Sequence, residues 1–304
     1  MTSVIPPLAA VRVFEAAARH QSFTKAADEL GMTQAAVSYQ IKVLEERVGG
    51  ALFLRRPRQV ELTELGHALA PSINQAFELL RSAFSSIRED KQGTLVVSAL
   101  QTFSAQWLVR HLGRFQLEHP GIAVRLMSAD QMVDFAREEV DIGIRSGEGV
   151  WPGLKAHLLV PATFTPMLSP ELAASIGGVN EPADLLKLPF IDASDPWWVQ
   201  WFEAAGVTEH DLDTRPKSRL GAQTLEANAA MACHGVAILT PNFYQAEVEA
   251  GRLMQPFDLL CKDGNRGYWM VYPEARRNTP KVRAFREWIL REVELTGLAS
   301  TPVA

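Results

Sequence analysis

The sequence predicts a multidomain chain of mixed fold class, α+β at its N-terminus and α/β over the remainder, with one long helix between. Three observations indicate this. A short N-terminal run combines helical apolar spacing with turn residues, the next helix carries a heptad seam, and β-branched runs then alternate with amphipathic helices. The predicted boundaries are 1–63, 64–91 for the long helix, and 92–304 for the α/β domain.

Residues 22–49 read SFTKAADELGMTQAAVSYQIKVLEERVG, which predicts two short helices around a turn at Gly31. Ser22 or Thr24 can cap the first helix, and Thr33 can cap the second. Apolar residues repeat at helical spacing along one face of the second helix: Val37, Ile41, Leu44 and Val48. The pattern predicts a helix-turn-helix, with an ordinary helical hairpin as the alternative.

The other face of the second helix is left for DNA, because the first turn of a recognition helix meets base edges in the major groove. A preceding helix with Leu8, Val11 and Phe14 at helical spacing completes a three-helix core and argues against the hairpin. The candidate DNA-binding residues of this region are Ser22, Thr24, Thr33, Gln34, Ala35, Ser38, Tyr39 and Lys42.

A two-stranded ribbon, or wing, is predicted over 52–63, where apolar residues lie on both sides of a Pro-containing turn. Arg55, Arg56 and Arg58 at its tip can reach phosphates or a narrow minor groove. Residues 1–60 hold 8 Lys and Arg against 5 Asp and Glu, although the whole chain carries a net charge of −5. The basic end is therefore the DNA end, and the unit is predicted to be a winged helix-turn-helix.

The long helix carries apolar residues spaced by four, three, four and three, which is the seam of a paired helix. This stripe is expected to lack a partner in its own domain, so dimerisation is the favoured interpretation and packing on the protein's own body is the alternative. The candidate dimerisation residues are Ile73, Phe77, Leu80, Phe84 and Ile87.

Beyond the long helix, the order βαβαβ predicts parallel strands covered by helices. The predicted strands are 94–99, 122–127, 140–145, 163–168, 190–192, 236–239 and 268–272. Helices are predicted over 104–118, around Leu172, Trp198, Leu225 and Tyr244, and over 280–294. Aromatic pairs four residues apart in 197–202 favour core packing over a stacking wall for a ligand.

The run from Pro7 to Gly66 resembles the DNA-binding domain of LysR-type transcriptional regulators. SAQWLVRHLGRFQLEHPGIAVRL, VDFAREEVDIGIRSGEGVWPGL and PKVRAFREWIL resemble the subgroup of glycine-cleavage and β-lactamase-induction regulators. The resemblance implies a dimer or tetramer and an effector domain similar to type 2 periplasmic binding proteins. Lobe I would cover about 92–161 and 267–304, and lobe II about 162–266, with two crossovers. Tyr39 departs from the family, because many members carry Arg or His there.

A cleft between two such lobes is the expected place for a small effector, a carboxylate or an amino acid. Hydroxyls at the start of the helix after the first strand suit an anion, although they could simply cap that helix. Arg145 could pair with an acid and Asp134 could accept from an ammonium group, or both could form structural ion pairs. The resemblance completes the candidate effector-binding set: Thr102, Phe103, Ser104, Ser128, Asp134, Arg145, Ser146, Gln223 and Tyr268.

Several other classes are disfavoured. Sequence motifs for nucleophilic catalysis, nucleotide binding and metal binding are absent, so no enzyme, cofactor or metal is expected. The two cysteines, Cys233 and Cys261, exclude a disulfide framework. No export signal or membrane-length apolar run occurs, which predicts a cytoplasmic protein and argues against a solute-binding module. The expected partners are double-stranded operator DNA, a small-molecule effector and further copies of the chain, with RNA polymerase as a candidate.

Overall fold

The computed structural model describes residues 5–56, 59–87, 93–135 and 137–299, without the side chains of 55, 56, 59, 78, 79 and 81–87. The chain divides into two compact units. The first contains residues 1–89 and 134–139, and the second contains 90–133 and 140–304.

The first unit contains the predicted helix-turn-helix. Its helices are α1 (Leu8–His20), α2 (Phe23–Leu30), α3 (Gln34–Val48) and α4 (Glu64–Ile87). Ser22 is the cap of α2, since its Oγ accepts from the backbone N–H of Lys25 at 3.3 Å, whereas Thr24 lies inside the helix. Thr33 Oγ1 accepts from the backbone N–H of Ala36 at 3.2 Å and caps α3, as predicted.

The predicted wing is an antiparallel pair, β1 (Phe53–Arg56) and β2 (Gln59–Leu62), with Phe53 opposite Leu62. Phe53 closes the core of the unit, because its ring contacts Phe14 at 5.6 Å and Phe23 at 5.2 Å between centroids. Arg58 and the side chains of Arg55 and Arg56 lie outside the described residues.

Helix α4 packs on the core of its own unit through Ala70, with Ile73 and Phe77 partly buried against it. The expectation that the whole seam lacks a partner in its own domain is therefore wrong for Ile73 and Phe77, because α4 contacts α1, which spacing alone cannot reveal. Leu80, one turn further, is 43% exposed. The side chains of Phe84 and Ile87 lie outside the described residues.

The second unit is built on a six-stranded sheet of order β4-β3-β5-β8-β6-β7. Its strands are β3 (Thr94–Ala99), β4 (Ala123–Ser128), β5 (Ile142–Gly147), β6 (Leu154–Met167), β7 (Ala237–Leu239) and β8 (Cys261–Pro273). Strands β4 and β5 both pair with β3 in parallel, as the βαβαβ order predicts. Strand β8 is antiparallel to both of its neighbours, β5 and β6.

With the lobe bounds expected above, β6 carries the chain from lobe I into lobe II and β8 carries it back, so these two strands form the two crossovers. Their ladder is interrupted by register shifts between Leu158 and Val160 and between Pro161 and Thr163. The strand predicted at 163–168 is thus the end of a longer strand, which pairs with distant β8 from Leu154 to Phe164 and with β7 from Thr165 to Met167. The predicted strand 190–192 is reduced to a single bridge between Phe190 and Val236.

Helices cover the sheet of the second unit. They are α5 (Gln101–Phe103), a π-helical segment (Ser104–Leu108), α6 (Val109–Glu118), α7 (Pro170–Ala174), α8 (Pro196–Ala204), α9 (Gln223–Met231), α10 (Gln245–Glu249) and α11 (Pro280–Leu295). The first helix begins at Gln101 rather than at the predicted Ser104, because the chain turns directly after β3. Trp198, Trp201 and Phe202 are fully buried in the lobe II core, as their spacing predicts.

Candidate DNA-binding and effector sites

The free face of α3 carries the candidate base-reading residues. Gln34, Ala35, Tyr39 and Lys42 are exposed, and Tyr39 is 65% exposed although it is aromatic. Ser38 lies half-buried between them. Val37, Ile41 and Leu44 on the opposite face are buried, so the helix is anchored by one side and presents the other. An exposed aromatic beside polar side chains suits contact with bases or sugars.

An ion-pair cluster ties α1 to α2 and so sets the angle of the motif. Arg19 Nη2 donates to Glu29 Oε1 at 2.5 Å, and its Nε donates to Glu15 Oε1 at 3.1 Å. His20 Nε2 lies 2.5 Å from the other Glu29 oxygen. The bond from Arg19, and secondarily that from His20, holds the pKa of Glu29 below its ordinary value.

In the second unit, the carboxyl ends of the parallel strands meet at one edge of the sheet. Ala99 is paired with both Ser128 and Ile144, so β3 and β4 end together and β5 continues from this level to Gly147. The segment Gln101–Leu108 begins at this edge, and its π-helical turn directly follows Phe103. Such turns occur often at functional sites, because they move side chains out of regular helical register.

Polar side chains join lobe I to lobe II at this edge. Thr102 Oγ1 accepts from the backbone N–H of Thr224 at 3.2 Å, and Gln106 Nε2 donates to Thr224 Oγ1 at 2.9 Å. Further along, Arg110 pairs with Glu247 at 3.0 Å. Three direct contacts therefore hold the two lobes together on this side.

Gln223 and Tyr268 form a second polar group in the cleft. Gln223 Nε2 donates to the Tyr268 hydroxyl and to Thr240 Oγ1, each at 3.3 Å. Gln223 Oε1 accepts from the backbone N–H of Thr240 at 2.8 Å, which fixes the orientation of the amide. Phe103 stacks on the Tyr268 ring at 6.4 Å between centroids. Burial raises the pKa of Tyr268, so its hydroxyl stays protonated.

Three buried hydroxyl oxygens have no hydrogen-bond partner among the described residues: Ser104 Oγ, Thr165 Oγ1 and the Tyr244 hydroxyl. Glu226 is also buried, and burial together with nearby Asp195 and Asp192 raises its pKa to about 7. Burial is the main cause that raises the pKa of Tyr244 and Tyr268, and the charge of Glu226 contributes to both shifts. The cleft thus combines hydroxyl and amide groups with one titratable acid.

Glu226 is the residue that sequence reasoning missed. A glutamate in the first turn of a helix is explained by the helix dipole alone, so it does not stand out. The available signal was its position three residues after Gln223, which directs both side chains to one face of α9.

The structure does not bring every predicted residue to this group. Arg145 is buried on the opposite face of β5, where its guanidinium donates to Ser98 O at 2.9 Å and Ser98 Oγ at 2.6 Å. Ser146 faces the Tyr268 side, since the two residues are paired across β5 and β8. Ser128 is exposed at the end of β4. Asp134 is exposed, belongs to the first unit and pairs with Arg137 at 3.4 Å.

A capped helix-turn-helix with an exposed α3 face, followed by a two-lobed domain with a polar cleft, defines a DNA-binding regulator with an effector domain. Residues 8–67 match the family described as bacterial regulatory helix-turn-helix protein, lysR family. Residues 88–294 match the LysR substrate binding domain. The chain belongs to the LysR family of transcription regulators.

Relatives agree with the expected subgroup. The chain is 38% identical over 292 residues to the glycine cleavage system transcriptional activator of Escherichia coli (strain K12), covering 95% of each chain. It is 38% identical over 287 residues to the transcriptional activator AmpR of Pseudomonas aeruginosa, covering 93% of this chain and 95% of AmpR.

Solved structures support the fold. The effector domain of AmpR from Pseudomonas aeruginosa is 30% identical with a TM-score of 0.57, over 66% of this chain and 96% of that one. ArgP from Mycobacterium tuberculosis covers 97% of this chain and 99% of its own with a TM-score of 0.67, but at 17% identity it speaks for the fold alone. Among the described residues, no helix combines the length and the apolar character needed to span a membrane.

Proposed function

We propose that this regulator reads a two-fold DNA operator with a pair of α3 helices and responds to a small amino acid or carboxylate held between lobes I and II. Dimerisation would use the outer half of α4, and tetramers would form through the effector domains. Its cytoplasmic location and a contact with RNA polymerase belong to the same proposal.

The exposed face of α3 supports the DNA part. Gln34 lies in the first turn of the helix, where an amide can make two hydrogen bonds to one adenine. Ser22, Thr24 and Thr33 at the helix starts, Ser38, and the wing arginines Arg55, Arg56 and Arg58 would contribute phosphate contacts and register. Tyr39 and Lys42 would contact the bases or the backbone farther along the groove.

The bond between Gln223 and Tyr268, with Phe103 stacked beside it, is the observation that supports the effector part. A free carboxylate accepts from hydroxyl and amide groups, which Thr102, Ser104, Gln223 and Tyr268 can offer. Glu226 can accept from an ammonium group, so an amino acid fits the set better than a carboxylate without an amine. The name of one relative ties that protein to glycine cleavage, which concerns an amino acid.

Arg145 is better placed to support the sheet than to bind the ligand, because its guanidinium bonds to β3 on the opposite face. Ser128 and Ser146 lie at the strand ends and would line the mouth of the cleft. Asp134 stays a candidate by resemblance alone, and its ion pair with Arg137 favours the structural alternative.

The proposed mechanism is a shift between two arrangements of the lobes. The direct contacts of Thr102 and Gln106 with Thr224 favour the arrangement described here. A ligand that binds another arrangement more tightly would shift the equilibrium by its difference in affinity and no more. The change in lobe angle would then alter the spacing of DNA-binding units in an oligomer.

The first experiment is binding of the purified full chain to DNA from upstream of its own gene, in a salt series, against random DNA. Gln34→Ala is expected to lower the preference for the operator, whereas Arg56→Ala should weaken binding to both DNAs and reduce the salt slope by about one. Equal losses on operator and random DNA for Gln34→Ala would exclude base reading by this residue.

A second experiment tests the effector with the same operator assay and a panel of amino acids, each matched with its deaminated carboxylate. An amino acid should shift operator binding more than its matched carboxylate, and Tyr268→Phe should weaken that response while the binding of free protein to DNA is kept. Thr208→Val, at an exposed position outside the cleft and outside the DNA-binding unit, provides the control. A response that Tyr268→Phe leaves intact would contradict the site.

A further inference from the structure

Lobe I carries a second concave site that shares no residue with the cleft. The cavity has a volume of about 270 Å³ and is lined by Lys155, His157, Tyr272, Arg277 and Arg286. Lys155 and His157 are two residues apart on β6 and therefore lie on the same face of the sheet. Tyr272 of β8 is paired with Lys155, so it shares that face. Arg286 reaches this face from α11.

A hydrogen-bond relay fixes the floor of the cavity. Arg286 Nη1 donates to the Tyr272 hydroxyl at 3.1 Å and to the backbone carbonyl of Arg277 at 3.0 Å. His157 Nε2 lies 2.9 Å from the same hydroxyl. Because a guanidinium only donates, the Tyr272 hydroxyl accepts from Arg286, and the same hydroxyl shares a second hydrogen bond with His157 Nε2. The floor therefore holds the Arg286 guanidinium in a preformed position.

The cavity also concentrates positive charge. Lys155 pairs with Glu274 at 3.0 Å, and Arg286 lies 3.8 Å from Glu287, a residue that is largely exposed. Arg277 has no ion-pair partner among the described residues and is exposed. Three cations thus face two carboxylates at the rim. This excess of positive charge affects His157, whose pKa is lowered first by burial and then by the charges of Arg286, Arg277 and Lys155.

We infer that this cavity binds a small dianion of the phosphate or dicarboxylate type, with Arg277 and Arg286 as the charged contacts and His157 beside them in the lining. Arginine forks match the paired oxygens of both groups. The volume lies just below the range of pockets for drug-sized ligands, which limits the occupant to a few heavy atoms beyond its anionic groups. A bound dianion would offset the mutual repulsion of the three cations.

The test is isothermal titration of the full chain with inorganic phosphate and, separately, with succinate, with sodium chloride keeping the ionic strength constant. At least one anion should bind, and Arg277→Ala should weaken binding about tenfold or more, which corresponds to one lost charged hydrogen bond. Arg283→Ala is the matched control, since Arg283 is exposed on α11 outside the cavity. Arg277→Lys should restore part of the affinity.

An independent readout is the His157 imidazole signal by NMR, whose pKa should rise when phosphate or succinate binds, because the anion counters the neighbouring cations. Equal affinities in wild type and Arg277→Ala, or the same response to chloride alone, would overturn the proposal. So would a loss of operator affinity in Arg277→Ala without any loss of anion binding, which would instead assign the cavity to DNA phosphates.

Discussion

The side-chain hydroxyl of Thr102 in lobe I accepts a hydrogen bond from the backbone N–H of Thr224 in lobe II at 3.2 Å, and both residues are buried. The contact lies where α5 and α9 meet, beside Gln223. A lobe motion that separates these helices must therefore break a buried hydrogen bond, which adds a cost to opening.

Replacing Thr102 with Val keeps the shape of the side chain and removes the acceptor. The Thr224 N–H then stays buried without a partner, so the free energy of unfolding should fall by about 1–3 kcal/mol. Urea denaturation followed by fluorescence measures the change. Thr208→Val at an exposed site is the control, and equal stability of the two variants would mean that the lobe contact contributes nothing.

The stability of the folded state should depend on pH through the Glu226 carboxyl group. Its pKa is raised to about 7 by burial and by Asp195 and Asp192, from an ordinary value of 4.5. Between these two values the unfolded chain loses the proton while the folded chain keeps it, so the folded state loses stability as pH rises from 4.5 to 7.

Glu226→Gln removes that cost. The variant should match the wild type near pH 4 and exceed its stability above pH 8 by at most about 3.5 kcal/mol, at roughly 1.4 kcal/mol per pKa unit. Thermal unfolding across this pH range gives the comparison, and Glu249→Gln on the exposed side of α10 is the control. A constant difference at all pH values would contradict a titrating Glu226.

Gly66 lies in the first turn of α4, close to Leu52 and Leu62. A Cβ at this position would lie 2.3 Å from the carbonyl oxygen of Leu52 and 2.9 Å from a methyl group of Leu62. Gly66→Ala should therefore displace the wing from α4, lower stability by roughly 2–3 kcal/mol and weaken DNA binding.

Gly113 in α6 provides the matched control, because no atom lies within 4 Å of a Cβ added there. Gly113→Ala should raise stability by up to about 1 kcal/mol through helix propensity. The two variants are compared by the free energy of unfolding from urea denaturation and by their affinity for operator DNA. A Gly66→Ala protein that folds and binds DNA like the wild type would show that the wing junction tolerates a side chain.

Leu80 on α4 tests the proposed dimer. Its side chain is 43% exposed, beyond the part of the helix that packs on the core. Leu80→Asp should shift the protein toward monomers in analytical ultracentrifugation, since a charge in an apolar seam lacks a partner. Gln75→Asp, exposed and off the seam, should leave the sedimentation profile unchanged. An unaltered sedimentation profile for Leu80→Asp would mean that Leu80 is not part of the dimer interface.

Much of the first unit could be predicted because its signals are local. Ser22, Gly31 and Thr33 mark helix ends within a residue, and the structure confirms a side-chain cap or a left-handed turn at each. The expectation that the apolar seam of α4 lacks a partner in its own domain was wrong for Ile73 and Phe77, because this depends on non-local contacts. Whether an apolar stripe packs on its own domain is set by the path of the chain, and residue spacing does not contain that information.

The α/β domain shows the same division. The strand at 94–99 and, to within one residue, the strand at 236–239 were predictable from apolar and β-branched runs, but the full length of β6 depends on pairing with β8, which lies far along the chain. The residues of the basic cavity are likewise separated by up to 131 positions along the chain, from Lys155 to Arg286. The raised pKa of Glu226 could not be predicted from the sequence, because its main cause is burial in the folded chain rather than residue type.

The crossover strands β6 and β8 are hydrogen-bonded to each other as they pass between the lobes, and their ladder is broken only by the two register shifts. A bonded ribbon resists stretching and sliding, but it bends across its own plane where the ladder is interrupted. We therefore expect the lobes to rotate about these two interruptions rather than to slide past each other. In the proposed mechanism, the fit of a ligand would then be transmitted as a change of angle between the lobes.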